Sequence, residues 1–479
     1  MAEPAATFDL IVLGAGSAGL GLSLFMARAK LRVLLIDRTA DDVGGDCLNH
    51  GCVPSKALLH AARLVHQARQ AGRFGLQVSG AADLGQVMDY VRERQAIIRP
   101  HENPDYLRSL GVVVELGEPV LVGTHAVQLN GRTYHGRKLV LATGSRPRPL
   151  GVPGAAHAPL YTNQHVWRVR QLPARLLVVG GGPNGVELAQ AFQRLGSQVT
   201  LVHRGAQLLG QEDPTISAVL LARLRAEGLT IHLHAEVVGF PTPHEARVQP
   251  QGGAPFTVGL DLAYVALGRE VGFAGLQLDR AGVALDAHGH LLLNEYLQTT
   301  NADIFAAGDA ANSLKFSHAA ELHVRLLLFN FFSPLKRKLS YAHFSWVTFT
   351  DPEVAHFGFD EAALRAQNIR YERWETDFAD DDRAVVDDYR DGRLLLFIEK
   401  NRLPGQKRRI LGGAMVAPHA GELVQELILA NASGLGIGAI FDKVYPYPVA
   451  ARINQLLIVN HLELSPLLQA ALDVAFKLQ

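Results

Sequence analysis

The amino-acid sequence predicts an α/β fold in which one strand–turn–helix–strand unit occurs twice and a separate α+β domain follows. The first unit spans residues 8–37 and the second spans 175–204, and the glycine turns of the two units are 166 residues apart. From about residue 341 the chain alternates strands and helices without a glycine-rich turn. A chain of 479 residues is long enough for roughly two to four domains, which agrees with this division.

The first unit has the pattern of a dinucleotide-binding site. The apolar strand FDLIVL leads into a turn with Gly14, Gly16 and Gly19, a helix is expected from about residue 19 to 29, and the strand RVLLID ends at Asp37. Glycines at this spacing allow a tight turn and let the backbone approach a pyrophosphate at the helix N-terminus. An acid at the strand end binds ribose hydroxyls and repels a ribose 2′-phosphate. We therefore predict a flavin dinucleotide at the first site.

The second unit repeats the strand RLLVVG, the turn GGGPNG, the helix VELAQAFQRLG and the strand QVTLVHR. One glycine turn alone is a weak signal, but two turns in equal register are a strong one. Where the first unit has Asp37, the second has His203 followed by Arg204, and these side chains can accept a 2′-phosphate. We predict that NADPH binds here, with NADH as the alternative.

The two cysteines of the chain, Cys47 and Cys52, lie in GGDCLNHGCVPSK with four residues between them. Two cysteines do not make a disulfide-stapled secreted scaffold, and two thiolates without further ligands nearby do not make a structural zinc site. Pro54 and Ser55 are expected to open a helical run, which places Cys52 near a helix N-terminus that lowers a thiol pKa. Redox chemistry is therefore favoured, and the alternative is a pair of buried structural thiols.

Composition argues against several classes of partner. Lys plus Arg and Asp plus Glu both total 46, and no basic block is interleaved with aromatic residues, so nucleic-acid binding is not expected. The apolar stretch 10–27 lacks the basic region of a signal peptide and carries the glycine spacing instead, so no membrane association is expected. We interpret the charged runs 377–391 and 400–409 as solvated loops, the second joining two strands. A soluble, cytoplasmic protein is expected.

The segments around the two units fill in the domain plan. Residues 56–110 are expected to be largely helical, and short strands follow. A strand then leads into Thr143-Gly144-Ser145, where later prolines indicate a crossing between domains. The expected domains are residues 1–150 for the first part of the FAD domain, 151–270 for the NAD(P) domain, 271–340 for the return to the FAD domain, and 341–479 for a dimerisation domain.

Two later segments, DLAYVALGRE and ADIFAAGDA, share the form of an apolar strand that ends at glycine and a charged residue. In the second of them, Asp309 is placed to hydrogen-bond a cofactor hydroxyl, and Gly308 allows the close approach. The alternative is a strand-terminal turn that binds no ligand.

The C-terminal region is expected to form an α+β domain. Its strands FSWVTFT, LLLFIEK and ILGGAMVA alternate with the helices DEAALRAQ, HAGELVQELILANASG and IGAIFDKV. An antiparallel sheet covered on one face by amphipathic helices commonly offers a surface for self-association. We therefore expect a homodimer.

Together these segments resemble the class I pyridine nucleotide-disulfide oxidoreductases, the family of dihydrolipoamide dehydrogenase, glutathione reductase and mercuric reductase. The resemblance covers nearly the whole chain and is carried by residues 14–19, the cysteine loop 44–56, ATGS at 142–145, residues 180–187, AAGDA at 306–310 and FTDPEVAHFG at 349–358. It implies two Rossmann-like dinucleotide-binding domains plus a C-terminal α+β dimerisation domain. It also implies that electrons pass from NAD(P)H through FAD to a disulfide, and then to an acceptor.

The resemblance assigns roles to four residues. Cys52 is the thiol against the flavin, and Cys47 is the interchange thiol that meets the acceptor. Lys56 and Glu187 match the family's pair beside the flavin ring. A lysine there stabilises negative charge on reduced flavin, and its glutamate partner makes burying the lysine less costly.

The acceptor end departs from the family's disulfide reductases, which carry His-Pro-Thr-x-x-Glu. Here the run is YPYPVAAR, in which Tyr447 replaces the histidine and Arg452 replaces the glutamate. A phenol with a pKa of about 10 is a poorer base at neutral pH than an imidazole with a pKa of about 6.5. A tyrosine here resembles the mercuric reductase branch, whose usual C-terminal cysteine pair this sequence lacks. His50 either replaces the lost base or is an ordinary loop residue.

The prediction is an FAD-dependent NAD(P)H oxidoreductase, similar to mercuric reductase, that reduces a metal ion or a thiol or disulfide compound through a Cys47–Cys52 disulfide. The alternatives are a disulfide reductase of dihydrolipoamide or glutathione type with an altered proton donor, and a flavoprotein redox sensor. No resident metal is expected. The catalytic candidates are Cys47, Cys52, Lys56, Glu187 and Tyr447. The cofactor-binding candidates are Gly14, Gly16, Ser17, Gly19, Asp37, Arg38, Gly45, Lys56, Thr143, Gly144, Gly180, Gly182, Gly185, Glu187, His203, Arg204, Gly268, Gly308 and Asp309.

Overall fold

A computed structural model describes residues 7–400 and 407–462, together with residues 473, 474 and 476. The chain forms two compact units. The first comprises residues 1–204 and 228–339, and the second comprises residues 205–227 and 340–479. Within the described ranges, no helix has the length and apolar character needed to cross a membrane.

The first unit opens with a strand, a helix and a second strand, as expected, and continues through four further helices before the sheet resumes. The elements are β1 (Thr7–Leu13), α1 (Ser17–Arg28), β2 (Val33–Asp37), α2 (Gly45–Asn49), α3 (Cys52–Gln70), α4 (Leu84–Ile98), α5 (Pro104–Ser109), β3 (Val113–Leu116), β4 (Val120–Gly123), β5 (Ala126–Leu129) and β6 (Arg132–Leu141).

The chain then passes through the second glycine turn and returns to the first sheet. The elements are β7 (Arg146–Pro147), β8 (Leu160–Tyr161), β9 (Arg175–Val179), α6 (Pro183–Leu195), β10 (Gln198–Val202), α7 (Pro214–Ala226), β11 (Thr230–His232), β12 (Ala235–Thr242), β13 (Glu245–Pro250), β14 (Phe256–Gly259), β15 (Leu262–Val265), β16 (Arg269–Glu270), β17 (Ile304–Ala306) and α8 (Ser317–Phe332). Of these elements, α7 belongs to the second unit.

The first sheet has the order β3-β2-β1-β6-β5-β4, and β17 pairs with β6. β1 runs parallel to both β2 and β6, in the register Leu10↔Val33 and Leu10↔Lys138. Leu10 and Val12 pack into one core, whereas Ile11 and Leu13 pack into another on the opposite face. Because both faces are covered, the strand is a continuous apolar run, as is typical of parallel sheets.

The second sheet has the order β11-β10-β9-β15-β8, and its strand pairs are parallel. It packs through Leu177 and Ala263 against residues of the antiparallel sheet β12-β13-β14. A short antiparallel pair, β16 with β7, joins Arg269 to Pro147. The predicted duplication is therefore confirmed, with one sheet for each glycine turn, although the first sheet is mixed because β4, β5 and β6 pair antiparallel.

The two glycine turns have the same backbone construction. Gly14 has φ +107°, and a Cβ on it would lie 2.3 Å from the carbonyl oxygen of Ala142. Gly180 has φ +116°, and a Cβ on it would lie 2.3 Å from the carbonyl oxygen of Ala266. Only glycine fits such a conformation and such a close neighbouring strand. Each turn thus begins where its first strand ends, at the carboxyl edge of a parallel sheet.

The second unit contains an antiparallel sheet of order β18-β19-β22-β21-β20, so the predicted α+β domain is confirmed. Its core includes Phe357, Trp374 and Met415. The sequence patterns did not predict β19 or β20 as strands. The elements are β18 (Ser345–Thr348), β19 (Glu353–Gly358), α9 (Glu361–Ala366), β20 (Tyr371–Asp377), α10 (Asp382–Val386), β21 (Arg393–Glu399), β22 (Ile410–Ala417), α11 (Ala420–Leu423), α12 (Gln425–Ala432), α13 (Gly438–Phe441) and α14 (Ile453–His461).

Two helix starts differ from the sequence prediction. α1 begins at Ser17, two residues before the expected start. α3 begins at Cys52 instead of at the Pro54–Ser55 pair, since the backbone N–H of Ser55 already donates to the carbonyl of Gly51 at 3.1 Å. Cys52 is therefore the first helical residue, which places it closer to the positive end of the helix dipole than the sequence indicated.

The interpretation of residues 377–391 as a solvated loop is wrong. α10 lies within this run, and the rings of Phe378 and Tyr389 are buried and 6.1 Å apart. Asp381 caps α10 by accepting a hydrogen bond from the backbone of Ala384 at 2.9 Å. The run 400–409 joins the antiparallel partners β21 and β22 as predicted, and its residues 401–406 lie outside the described ranges.

Candidate active site

The two cysteines lie at neighbouring helix positions. Cys47 is half-buried in α2, and Cys52 is exposed at the start of α3. The thiols of Cys47 and Cys52 share a hydrogen bond. The Oγ of Ser317 lies 3.4 Å from the Sγ of Cys52, and it is supplied by the first residue of α8.

These contacts make the two thiols unequal. The hydrogen bond with Cys47, then that with Ser317, then the charge of Lys56, together lower the pKa of Cys52 to about 6. The hydrogen bond with Cys52, followed by burial, raises the pKa of Cys47. In the reduced pair the proton therefore belongs to Cys47, and the negative charge belongs to Cys52.

An ion pair next to this loop joins the two halves of the first unit. The Nζ of Lys56, on α3, lies 2.7 Å from the Oε2 of Glu187, on α6. The Glu187 side chain is 3% exposed and the Lys56 side chain is 36% exposed. The structure thus brings together two catalytic candidates that are 131 residues apart.

The first glycine turn is held by the acid at the end of β2. The carboxylate of Asp37 accepts hydrogen bonds from the backbone N–H of Ala15 at 2.6 Å and of Arg38 at 2.7 Å. Burial raises the pKa of Asp37 despite these bonds. A Cβ on Gly45 would lie 2.6 Å from the Cα of Gly16, so the cysteine loop lies directly against the turn. Turn, acid and cysteine loop therefore form one continuous cradle that fits FAD.

Arg38 and Ser17 complete the first-site candidates. The Arg38 guanidinium is exposed and pairs with Asp42 at 3.4 Å, and Ser17 begins α1 directly after the turn. Gly19 must be glycine, because a Cβ on it would lie 1.8 Å from the carbonyl oxygen of Gly14.

The second glycine turn is held in the same way by a different side chain. The backbone N–H of Gly181 donates to the Nδ1 of His203 at 3.1 Å, in the position that Ala15 and Asp37 occupy in the first turn. The Nδ1 of His203 is thus an acceptor, which leaves Nε2 as the ring nitrogen that carries hydrogen. Arg204 is exposed. A Cβ on Gly182 would meet open space, as a cofactor cradle requires.

Sequence reasoning missed Arg269, which links three of the expected segments. Its guanidinium lies 3.1 Å from the Oδ2 of Asp46 in the cysteine loop. It also donates to the Oγ of Ser145 at 2.7 Å and lies 3.5 Å from the Oδ2 of Asp309. The signal was its place after Gly268 at the end of an apolar strand. Thr143 and Gly144 precede Ser145, and Gly308 precedes Asp309. Arg269 therefore joins the segment 143–145 to the loop that carries Asp309.

Tyr447 lies in the second unit with different partners. Its hydroxyl donates to the Oδ2 of Asp382 at 3.0 Å, and the Arg452 guanidinium lies 5.7 Å from its ring centroid. The hydrogen bond with Asp382 raises the pKa of Tyr447, so still less phenolate is present at neutral pH to act as a base. Its catalytic role stays a prediction.

His50 does not extend the cysteine pair into a ligand set. The charged groups that act on its ring are Asp46, Asp42, Arg168 and His165, and burial lowers its pKa. Among the residues that the structure describes, no group of three or more His, Cys, Asp or Glu side chains is placed to hold a metal ion.

Comparisons with known proteins identify the family of this chain. A family model described as pyridine nucleotide-disulphide oxidoreductase matches residues 8–323, and the model of that family's dimerisation domain matches residues 344–456. The chain belongs to the pyridine nucleotide-disulphide oxidoreductases. Members of this family use FAD and NAD(P)H, so the predicted cofactors are confirmed. The dimerisation domain supports the expected homodimer.

Among the relatives of this oxidoreductase is the dihydrolipoyl dehydrogenase of Thermus scotoductus, 32% identical, with 92% of this chain and 95% of the relative covered. Another is the mercuric reductase of Streptomyces lividans, 31% identical, with 94% of this chain and 95% of the relative covered. A solved structure, the Cu(II) complex of RclA, an HOCl-induced flavoprotein disulfide reductase from Escherichia coli, matches this chain with a TM-score of 0.83 and 23% sequence identity. The match covers 95% of this chain and 100% of the RclA chain. At that identity the likeness shows the fold.

In this oxidoreductase, Ser317→Ala is expected to destabilise the thiolate form of Cys52 relative to its thiol. The Ser317 hydroxyl lowers the pKa of Cys52, which is about 6, so its loss moves this pKa upward. We expect less thiolate at pH 6–7 and an unchanged amount well above pH 8. The measurement is a pH titration of the thiolate-to-flavin absorbance in two-electron-reduced enzyme. Ser317→Thr, which keeps the hydroxyl, is the matched control, and equal midpoints for all three proteins would contradict the role of the hydroxyl.

A buried histidine makes the loop that carries Asp309 sensitive to acid. The Nδ1 of His323 accepts a hydrogen bond from the backbone N–H of Gly308 at 3.0 Å, and burial lowers the pKa of His323 to about 4. The pKa of His323 in the folded state lies below that of a free imidazole. The neutral ring therefore contributes its full stabilisation of the folded protein above about pH 6.5, and this contribution is lost as pH falls towards 4. The loss amounts to about 3 kcal/mol.

We therefore expect His323→Gln to flatten the dependence of unfolding free energy on pH between 6.5 and 4.5. Chemical denaturation at several pH values measures this dependence, and the exposed His157→Gln is the control. If the wild-type slope survives in the His323 variant, another group carries the acid sensitivity.

Proposed function

We propose that this protein is an FAD-dependent NAD(P)H oxidoreductase that reduces a soft metal ion through the redox-active Cys47–Cys52 pair. The observation that carries the proposal is the unequal pair of thiols, with a Cys52 thiolate stabilised near neutral pH. Bound FAD supplies the two electrons that open the disulfide. The residues of this chain supply the sulfur pair, Cys47 and Cys52, and the neighbouring cation, Lys56. They also determine which of the two sulfurs carries the proton.

Each residue has a defined task in this proposal. Cys52 keeps the negative charge after reduction because Ser317 and Lys56 stabilise it. Lys56 holds a positive charge at the junction of the two dinucleotide domains, and Glu187 makes that cation less costly to bury. Cys47 keeps the proton until an acceptor reacts at its sulfur. The two cradles bind the cofactors through the residues predicted from the sequence, within the domain boundaries predicted there.

The choice of acceptor rests on the missing base. Disulfide exchange with a dithiol substrate needs a base for the interchange thiol, and Tyr447 bound to Asp382 is a poor one. Soft Hg(II) binds thiolates directly, and reduction of Cu(II) gives Cu(I), which thiolates also favour. The mercuric reductase relatives and the Cu(II) complex of RclA make these two ions the first to test.

The donor and the setting are further parts of the proposal. The exposed Arg204 favours NADPH over NADH, because a guanidinium pairs with a ribose 2′-phosphate. We infer that the protein is a homodimer, through its dimerisation domain. We also infer a cytoplasmic location, because the cytosol keeps thiols reduced and the Cys47–Cys52 dithiol must be reduced in each cycle.

The test is an acceptor panel with purified, FAD-loaded protein. NADPH and NADH are each paired with Cu(II), Hg(II), oxidised lipoamide, oxidised glutathione and a quinone. We expect metal-dependent NADPH oxidation that is lost in Cys47→Ser. The dihydrolipoyl dehydrogenase relatives favour lipoamide as the second candidate. Faster turnover with lipoamide than with either metal would contradict the proposal in favour of that candidate.

A further inference from the structure

We propose that Asp46 and Asn163 are positioning residues that hold the turn between the two cysteines, so that the Cys47 sulfur stays within hydrogen-bond reach of the Cys52 sulfur when the disulfide opens. The inference rests on the proposed function, because it concerns the same redox-active sulfur pair, but it does not depend on which acceptor that pair reduces. Both residues lie in the first compact unit.

The turn at His50 and Gly51 joins the two helices that carry the cysteines. α2 ends at Asn49 and α3 begins at Cys52, so only these two residues lie between the helices. The backbone N–H of His50 donates to the carbonyl oxygen of Asp46 at 2.8 Å. A Cβ on Gly51 would lie 2.9 Å from that oxygen and 3.1 Å from the Oδ2 of Asp46. Asp46 therefore packs against the turn with both its backbone and its carboxylate.

Asn163 fastens this turn from a segment that is remote in sequence. Its Nδ2 lies 3.1 Å from the Oδ1 of Asp46, 3.2 Å from the Oδ2 of Asp46 and 3.4 Å from the carbonyl oxygen of His50. The indole N–H of Trp167 donates to the same carbonyl at 3.1 Å. Asn163 is 7% exposed, so water does not easily take the place of its amide group. One buried amide thus contacts both the acid that precedes Cys47 and the turn that precedes Cys52.

Arg269 holds the Asp46 carboxylate from another direction. Its guanidinium lies 3.1 Å from the Oδ2 of Asp46, and its side chain is 14% exposed. The same guanidinium donates to the Oγ of Ser145 at 2.7 Å and to the carbonyl of Ser145 at 2.8 Å. The planar group is therefore fixed on one side before it meets the carboxylate on the other. The cysteine turn cannot shift without breaking contacts to Asn163, Trp167 or Arg269.

A fixed turn matters because the two sulfurs must stay close after the S–S bond breaks. Opening the disulfide consumes two electrons, which come from NAD(P)H through FAD, and one proton from solvent, and it yields the Cys52 thiolate and the Cys47 thiol. The hydrogen bond with Cys47 is the largest influence that lowers the pKa of Cys52, whereas the charge of Asp46 is a smaller influence that raises it. Positioning and charge at Asp46 therefore act on the thiolate in opposite directions, which makes them separable.

The test is the thiolate-to-flavin absorbance of two-electron-reduced, FAD-loaded protein, titrated between about pH 5 and 8. We expect Asn163→Ala, which changes no charge, to lower the amount of thiolate at pH 6 by about threefold to fivefold, because the loosened turn weakens the hydrogen bond from Cys47. We expect a similar loss in Asp46→Ala, which removes the acceptor of the Asn163 amide. Asp46→Asn removes the same charge but keeps an oxygen that accepts from Asn163, so the amount of thiolate should not fall. The exposed Asp41→Ala is the control for removal of a nearby charge.

An effect of charge alone gives a different pattern. It would increase the thiolate equally in Asp46→Ala and Asp46→Asn and leave Asn163→Ala at the wild-type value, and this pattern, or equal titrations for all variants, would overturn the proposal. The comparison of Asp46→Ala with Asp46→Asn decides the question if Asn163→Ala does not fold. If the wild-type enzyme forms the absorbance band but reduces neither metal, the choice of acceptor fails and the positioning test stands. A wild-type enzyme without the band would overturn both.

Discussion

Cys52→Ser is expected to abolish the long-wavelength thiolate-to-flavin absorbance of two-electron-reduced enzyme and to lower acceptor turnover by about 1,000-fold or more. The pKa of Cys52 is about 6, so the wild-type sulfur is a thiolate at neutral pH. A serine hydroxyl stays protonated there and cannot form the disulfide. Absorbance spectra during anaerobic titration with NADPH, followed by steady-state turnover, measure both effects.

Cys47→Ser is the matched control, because it also prevents the disulfide but keeps the Cys52 sulfur. We expect this variant to retain the long-wavelength absorbance while losing turnover. Its absorbance should appear at a pH no higher than in the wild-type enzyme, since the serine hydroxyl can still donate the hydrogen bond that is the largest influence lowering the pKa of Cys52. A full absorbance band in Cys52→Ser would show that the two roles are exchanged.

Lys56→Met is expected to lower the free energy of unfolding by about 3 kcal/mol and to slow reduction of the disulfide. The substitution removes a cation 2.7 Å from the Glu187 carboxylate, whose side chain is 3% exposed. Losing the partly exposed cation of this pair costs more than the pair contributes, because the buried Glu187 carboxylate keeps its desolvation cost and loses the attraction of Lys56. Urea denaturation of the protein measures the stability, and stopped-flow mixing with NADPH measures the reduction.

The double variant Lys56→Met, Glu187→Leu is expected to recover most of the lost stability, because it buries no charge. The recovery should not extend to the reduction rate, for which the cation itself is needed. A surface pair provides the comparison: Arg365→Met, next to Glu361, removes a side chain that is 71% exposed and should cost about 1 kcal/mol or less. Equal losses for Lys56→Met and Arg365→Met would show that burial of Glu187 does not set the cost.

The two dinucleotide folds were predictable because their signals are local. Each glycine turn lies between two apolar strands within about thirty residues, and the positive φ of Gly14 and Gly180 explains why the spacing is so specific. The family resemblance likewise rested on contiguous motifs. Helix starts were less exact, since Gly51 accepts the first helical hydrogen bond of α3 where Pro54 and Ser55 suggested a later beginning.

The partners of the cysteines were not predictable in this way. Ser317 lies 265 residues from Cys52 in sequence, and it meets Cys52 only because α8 begins beside the cysteine loop. Arg269 likewise reaches the loop from a separate element, and its place after Gly268 at the end of an apolar strand does not reveal that its partner is Asp46. The prediction for residues 377–391 was wrong for the opposite reason. The many acidic residues indicated a solvated loop, whereas Phe378 and Tyr389 are buried and hold the segment against the core.

The backbone contact between Gly45 and Gly16 has a consequence for engineering. With 2.6 Å between a notional Cβ on Gly45 and the Cα of Gly16, the two segments are matched surfaces with no room for adjustment. Grafting the sulfur-bearing segment onto another flavoprotein would therefore require transplanting its facing turn as well. The cysteine loop and the glycine turn of the dinucleotide site therefore have to be transferred together.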